Sequence, residues 1–115
     1  MRVIVCGGRD FRDRRLMFDT LDHLHSKMKI DAVIQGGAAG ADHLAWLWTI
    51  ARDIQCIAYP ADWSRGRRAG PARNQQMLER SKPDVVVAFP GGSGTEDMKR
   101  RARRAGVLVM EAPLP

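Results

Sequence analysis

The stretch that decides the fold is VVVAFPGGSGT, residues 85–95. Its first five residues are apolar and include three consecutive valines, which is typical of a buried strand. Three glycines within four positions follow, and a helical pattern begins where they end. A buried strand that passes through a glycine-rich turn into a helix is typical of α/β proteins. We therefore predict a strand at 85–89 and a helix at 95–105.

The same pattern recurs along the chain. Further strands are predicted at 2–6, 32–35, 56–59 and 107–110, and further helices at 13–28, 41–54 and 70–81. The arginine-rich segment 61–68 is predicted to be a loop. Short apolar strands that alternate with helices indicate a parallel sheet covered on both faces. We predict an α/β fold with residues 1–115 in a single domain: a three-layer, Rossmann-like, doubly wound sheet of five parallel strands in the order 3-2-1-4-5.

Composition and charge narrow the class of partner. The formal net charge of +6 favours anionic partners such as nucleotides, nucleic acids or acidic surfaces. No run approaches ~18 apolar residues and no basic leader precedes an apolar stretch, so neither a membrane span nor a signal peptide is expected. The two cysteines, Cys6 and Cys56, lie in apolar runs and form no CxxC pair. They indicate buried free thiols in a reducing compartment, and hence a cytoplasmic location.

The turn after the fourth predicted strand carries the strongest ligand-binding pattern. In a sheet of this order, ligands bind beyond the carboxyl ends of strands one and four. Glycines let backbone amides approach a ligand, and the free amides and dipole of a helix start attract an anion. We predict that this turn binds a phosphate group through Gly91, Gly92, Ser93, Gly94 and Thr95. The alternative is a tight turn in which Thr95 caps the helix.

The loop after the second predicted strand has the same design. It contains the small residues Gly36, Gly37, Ala38 and Gly40, and it places Asp42 in the first turn of a helix. We predict that it forms the second part of the phosphate site. Two roles remain open for Asp42: a hydrogen bond to a ribose hydroxyl, or an interaction with the helix dipole.

The turn after the first predicted strand comprises Gly7, Gly8 and Arg9. We predict that Arg9 pairs with a phosphate, because a guanidinium offers a fork of donors. The alternative makes Arg9 a surface residue, with Asp10 or Asp13 capping the first helix.

Arg73 and Asn74 lie at the start of the third predicted helix and are expected to point toward the same crevice. We predict that Arg73 contacts a phosphate or a carboxylate. The preceding arginines, Arg65, Arg67 and Arg68, are predicted to form a solvated rim.

Two tryptophans bear on partners, and no other motif adds chemistry. Trp46 lies off the apolar stripe of its helix, so it is interpreted as a contact in a homodimer or as packing beneath a loop. Trp63 either stacks on a base or, as we prefer, plugs its loop against the sheet edge. The Walker pattern and a strict GxGxxG are absent, and the histidines lack metal-ligand spacing. No metal and no cofactor are predicted.

Together these motifs resemble the SLOG superfamily, and within it the small YspA/cpYpsA-related domains. The matching segments are Gly7–Phe11, Gly36–Asp42, Pro60–Trp63, Gly70–Asn74 with Met77, and Pro90–Thr95. The resemblance implies a Rossmann-like fold that binds nucleotide-derived ligands, sensors or processors of nucleotide signals as relatives, and frequent dimers.

Two branches of the superfamily frame the alternatives. LOG-type phosphoribohydrolases carry Pro-Gly-Gly-x-Gly-Thr-x-x-Glu, and the glutamate position is Met98 in this chain. Glu96 and Asp97 are displaced by one or two residues and should point about 100–200° away on a helix. DprA-like domains bind single-stranded DNA and carry Pro-Arg-Arg-Asn, which Pro71-Ala72-Arg73-Asn74 resembles with one arginine missing.

Three functions follow, in order of preference. The first is a domain that binds a nucleotide or nucleotide derivative, phosphoribosyl- or ADP-ribose-like, and serves as a sensor. The second is an enzyme that hydrolyses the N-glycosidic bond of a nucleoside monophosphate, which needs a carboxylate near the anomeric carbon. Asp42 and Glu96 are its candidate catalytic residues, with Asp10, Asp62 and Asp97 as further carboxylates. The third is DprA-like binding of single-stranded DNA through the arginine-rich loop and the last helix.

Overall fold

The computed structural model describes all residues, 1–115. The strands are β1 (Arg2–Cys6), β2 (Ala32–Gln35), β3 (Gln55–Ala58), β4 (Val85–Ala88) and β5 (Leu108–Glu111). The α-helices are α1 (Arg14–Lys27), α2 (Ala41–Arg52), α3 (Ala69–Ser81) and α4 (Ser93–Arg104), and a 3₁₀ helix spans Trp63–Arg68. All strands are parallel in one sheet of order β3-β2-β1-β4-β5. The predicted α/β fold and strand order are confirmed.

The central strands are buried because helices cover both faces of the sheet. Val3 of β1 pairs with Val33 of β2 and with Val85 of β4. Successive side chains of a strand point to opposite faces. Val3 and Val5 therefore pack with residues of α1 and α2, such as Met17 and Trp48, whereas Ile4 packs with α3 and α4. The edge strands β3 and β5 are only partly buried.

The helix starts show which of the predicted N-caps are formed. Asp13, and not Asp10, caps α1: its Oδ1 accepts a hydrogen bond from the amide of Leu16 at 2.9 Å. α4 begins at Ser93, two residues before its predicted start, because Gly92 takes the N-cap position with no side-chain cap. Thr95 therefore lies inside the first turn and does not cap the helix.

The prediction of a loop at residues 61–68 is wrong for its larger part. Trp63–Arg68 form a 3₁₀ helix that is kinked at Gly66 (φ 80°), and its cap, Asp62, accepts from the amide of Ser64 at 3.2 Å. This segment has no apolar periodicity, so the pattern along the sequence did not indicate it. None of the helices combines the length and apolar character that a crossing of the bilayer requires.

Candidate functional site

A cavity of about 1070 Å³ opens beyond the carboxyl ends of β1 and β4, where the strand order reverses. The predicted site residues that line it are Gly7, Gly8, Arg9, Gly36, Ala38, Asp42, Arg73, Asn74, Gly91, Gly92, Ser93, Gly94 and Thr95. Three predicted residues, Gly37, Gly40 and Glu96, are not part of this lining. The fold thus brings nearly all of the predicted residues to one place.

The turn before α4 presents free amides to the cavity. The first helical hydrogen bond runs from Glu96 to the carbonyl of Gly92 at 3.0 Å, so the amides of Ser93, Gly94 and Thr95 precede it without a partner in the helix. Thr95 is only 6% exposed, yet its hydroxyl makes no hydrogen bond within the chain. These donors and the helix dipole together suit an anion.

Gly91 is required by the close packing of this turn. A Cβ at Gly91 would overlap Oγ1 of Thr95 and would lie 2.6 Å from the amide nitrogen of Gly8. That amide donates to the carbonyl of Pro90 at 2.8 Å, which ties the turn after β4 to the turn after β1. The two turns therefore form one continuous wall of the cavity.

Two amides of the loop after β2 are bonded to side chains within the chain. The side chain of Gln35 accepts from the amide of Gly37, and Oδ2 of Asp42 accepts from the amide of Ala38 at 3.2 Å. Gly40 packs against the backbone carbonyls of Gly8 and Arg9. The two glycine-rich loops look alike in sequence, but this one already holds the carboxylate of Asp42 where a bound anion would sit.

Asp42 is a buried carboxylate at the cavity wall. It is 7% exposed. Burial raises the pKa of Asp42 above its ordinary value, against the hydrogen bond from Ala38 and the positive charges of Arg73 and Arg9. The backbone of Gly36 lowers the pKa of Asp42 in the same direction as Ala38, so both backbone groups act on the carboxylate at the cavity wall.

Arg73 braces the loop after β2 from α3. Its Nη1 donates to the carbonyls of Gly36 at 2.8 Å and Tyr59 at 3.2 Å, and its Nε donates to Oδ1 of Asn74 at 3.1 Å. Gly36 lets the guanidinium of Arg73 approach closely, because a Cβ there would overlap it and force the guanidinium to shift. Burial lowers the pKa of Arg73 from its ordinary value. Nη2 makes no hydrogen bond within the chain, so it is the nitrogen that remains for the predicted phosphate contact.

Asn74 positions the start of α4. Its Nδ2 donates to the carbonyl of Gly94 at 3.2 Å and to Oδ2 of Asp97 at 3.0 Å. Asp97 also accepts from Arg100 and Arg101. This network was not predicted from the sequence. Its only signal there is an acidic residue that stands three and four positions before two arginines on one helix.

The carboxylates considered for catalysis are separated by the structure. Glu96 is paired with Lys99 at 2.7 Å and does not reach the cavity. Asp97 lines the cavity, but its oxygens are occupied by Asn74 and two arginines. Met98, at the position of the LOG glutamate, is 1% exposed and packs in the core beneath the cavity. Asp42 is therefore the buried cavity carboxylate that is bonded to backbone amides and not to an oppositely charged side chain.

Arg9 and Trp63 face each other across one side of the cavity. The guanidinium carbon of Arg9 lies 4.9 Å from the ring centroid of Trp63, and Arg9 forms no ion pair. Trp63 is 51% exposed and lies against Gly70 at the start of α3. Our preference for Trp63 as a plug against the sheet edge is thus wrong, because the 3₁₀ helix carries the indole over α3.

The remaining predicted surface residues are distributed around this site. Arg67 lines the cavity, whereas Arg65 pairs with Asp62 at 3.5 Å. Trp46 is 43% exposed on α2, with its ring centroid 5.5 Å from that of His43, and it shares a small pocket with Gly37 and Ala38 of the loop after β2. Its role in a homodimer stays a prediction.

The parallel sheet of reversed order, with its cavity at the reversal, defines a Rossmann-like domain. The model of the YspA, cpYpsA-related SLOG family matches residues 1–66, and the chain belongs to this family. It is similar to the Gene 61 protein of Mycobacterium phage D29, with 37% identity over 118 residues that cover 95% of this chain and 94% of that protein. The predicted membership of the SLOG superfamily is confirmed.

A solved structure supports the fold alone. The crystal structure of a UDP-N-acetylglucosamine 2-epimerase matches 96% of this chain with a TM-score of 0.61 and 16% sequence identity. This chain spans 31% of the epimerase chain.

Proposed function

We propose that this protein binds a nucleotide or a nucleotide derivative, with a phosphate of the ligand at the start of α4. The observation that carries the proposal is the set of unpartnered donors there: the amides of Ser93, Gly94 and Thr95, and the hydroxyl of Thr95 at the cavity. A phosphate offers acceptor oxygens to all of them, and its charge is favoured by the helix dipole.

The rest of the cavity supports a ligand larger than inorganic phosphate. Its volume of about 1070 Å³ is at the upper end of small-molecule sites. Arg9 has no acidic partner and lines the same cavity, so it is free to neutralise a phosphate. Membership of the SLOG family and the Rossmann-like fold are compatible with a phosphoribosyl- or ADP-ribose-like ligand. Binding without turnover, as in a sensor, agrees with Met98 at the position of the LOG glutamate.

Calorimetry with AMP, ADP, ATP, NAD, ADP-ribose and ribose 5-phosphate tests the proposal. We expect binding in the micromolar range for at least one of them, and a several-fold loss of affinity in Thr95→Val, which removes the hydroxyl but keeps the shape. Thr49→Val is the matched control, because Thr49 is equally buried but bonds to the carbonyl of Trp46 on α2. Absence of binding by every ligand would contradict the proposal, as would equal affinities of the two variants.

The state of Asp42 favours one second candidate, hydrolysis of the N-glycosidic bond of a nucleoside monophosphate. A buried carboxylate with a raised pKa at a cavity wall is suited to acid–base work on a sugar. Chromatography of AMP incubated with the protein would detect released adenine, and Asp42→Asn should abolish the release. AMP that stays intact after long incubation would eliminate this candidate and leave ligand binding in place.

A further inference from the structure

The exposed indole of Trp63 stands out because it shares the cavity of the proposed phosphate site. Trp63 begins the 3₁₀ helix, and Asp62 fixes that start through hydrogen bonds to the amide and hydroxyl of Ser64. The edge of the indole lies against Gly70, where a Cβ would come within 3.1 Å of the ring. The ring is thus held in place from below, while half of the side chain remains exposed.

The group now lying over the ring is easily displaced. The Arg9 guanidinium covers the indole at 4.9 Å, and Arg9 has no ion pair and no side-chain hydrogen bond to hold it there. Gly8, the residue before Arg9, donates to Pro90 in the turn that leads into α4. The backbone next to Arg9 is therefore tied to the turn that leads into α4, while the Arg9 side chain lies over the indole.

From this arrangement we propose that Trp63 is the stacking platform for an aromatic base of the ligand, and that Arg9 gives up its place on the indole to contact the phosphate. The inference rests on the proposed function and narrows the ligand to a molecule with a phosphate at one end and an aromatic heterocycle at the other. Base–aromatic stacking tolerates any base, because each base has a π-face. Trp63 therefore selects for the presence of a base, and not for one base.

Comparison of AMP with ribose 5-phosphate isolates the contribution of the base. By calorimetry we expect wild-type protein to bind AMP about tenfold or more tightly than ribose 5-phosphate, the range known for loss of one stacked base. Trp63→Ala should lose most of that preference while its affinity for ribose 5-phosphate is unchanged. Trp63→Phe should keep most of the preference for AMP. This variant also controls for an effect of Trp63→Ala on folding. Trp46→Ala removes an equally exposed indole outside the cavity and should bind both ligands as the wild type does.

Arg9→Gln gives the complementary pattern. This substitution should lower the affinities for AMP and for ribose 5-phosphate by the same factor, because both ligands carry the phosphate. An unchanged preference for AMP in Trp63→Ala would overturn the stacking role while leaving the proposed function intact. A loss confined to AMP in Arg9→Gln would overturn the movement of Arg9. Failure of wild-type protein to bind AMP would overturn this inference, and only failure to bind every ligand named under the proposed function would overturn the proposal of nucleotide binding with it.

Discussion

Asn74 on α3 and Asp97 on α4 are joined by a hydrogen bond of 3.0 Å that is buried from solvent. The same amide of Asn74 reaches the carbonyl of Gly94 at 3.2 Å. The amides proposed to bind phosphate belong to the first turn of α4. The two hydrogen bonds of Asn74 therefore help to set the direction of these amides. The family-like dipeptide Arg73-Asn74 thus serves both glycine-rich loops: Arg73 holds the loop after β2, and Asn74 holds the start of α4.

Asn74→Ala should lower the free energy of unfolding by about 1–3 kcal/mol, because it removes the buried donor to the carboxylate of Asp97. Urea denaturation followed by circular dichroism measures this change. Glu79→Ala, an exposed substitution on the same helix, should change the free energy by less than about 0.5 kcal/mol. Equal effects of the two substitutions would show that the hydrogen bonds of Asn74 do not matter for stability.

The hydrogen bonds to Asp97 should also make the free energy of unfolding depend on pH. Burial acts to raise the pKa of Asp97, but the hydrogen bonds from Asn74 and Arg101 outweigh it, and the pKa lies below its ordinary value. A lowered pKa stabilises the folded state above the unfolded value of about 3.9, and this contribution is lost as the pH falls through the folded pKa. The stability advantage of wild type over Asp97→Asn should therefore shrink below about pH 4. An advantage that is constant across this range would contradict the pKa shift.

Gly91→Ala should destabilise the protein by about 1–3 kcal/mol and weaken phosphate binding, because the new methyl meets Thr95 and the backbone of Gly8. Gly94→Ala is its control: a Cβ at Gly94 meets nothing within 4 Å, and alanine favours the helix by up to about 1 kcal/mol. Thermal unfolding of both variants gives the comparison. A melting temperature of Gly91→Ala at or above that of wild type would contradict the packing described for this turn.

Asp42→Asn should stabilise the protein near pH 7, because burial raises the pKa of Asp42 and makes its charged form costly. With a raised pKa, the favourable contribution of the protonated group is present below the unfolded value of about 3.9 and is lost as the pH rises through the folded pKa. The gain from asparagine should thus be largest above the folded pKa and vanish below about pH 4. Urea titrations across this range would measure it; a variant less stable than wild type at neutral pH would contradict the prediction.

Cys6 should be inert toward alkylation in the folded protein. Burial, helped by the nearby charge of Asp42, raises the pKa of the Cys6 thiol to about 12. Only the thiolate reacts with iodoacetamide, so labelling of Cys6 near pH 8 should be far slower in native than in urea-unfolded protein. Mass spectrometry of the Cys6 peptide reports both rates. Equal rates in the two states would refute the assignment.

Binding of single-stranded DNA, the third function considered, should be weak and dominated by salt. Much of the positive charge on α4 is neutralised within the chain, because Arg100 and Arg101 pair with Asp97 and Arg103 pairs with Glu111. Any affinity for an oligonucleotide should fall with a log–log slope of about −0.7 for each phosphate contacted. Fluorescence anisotropy of a labelled oligonucleotide across a salt series measures this slope. Tight binding that falls steeply with salt would instead favour the DprA-like function, and a flat salt response would remove it.

The fold was predictable because its information is local and repeated. The valines of β4 and the apolar run of β1 can only be buried between two helical layers, and parallel strands joined by helices leave few topologies. The crevice followed from the same argument, since loops after neighbouring parallel strands meet at one edge. The 3₁₀ helix at Trp63–Arg68 was missed because its start depends on the cap at Asp62 and not on a periodic pattern.

The sequence thus predicted which residues form the site, but it did not predict which of their polar groups are free to bind a ligand. Glycines, arginines and aspartates follow the strands in the order that the site requires, and their types already point to an anion. Which amides are free, however, depends on contacts between residues far apart in the chain. Asp42 and Gln35 accept hydrogen bonds from amides of the loop after β2 and Arg73 is held by backbone carbonyls, whereas the first amides of α4 remain open. Hydrogen-bond partners depend on which groups lie close together in three dimensions. Two loops of similar sequence therefore differ in whether their amides are bonded within the chain or open to a ligand.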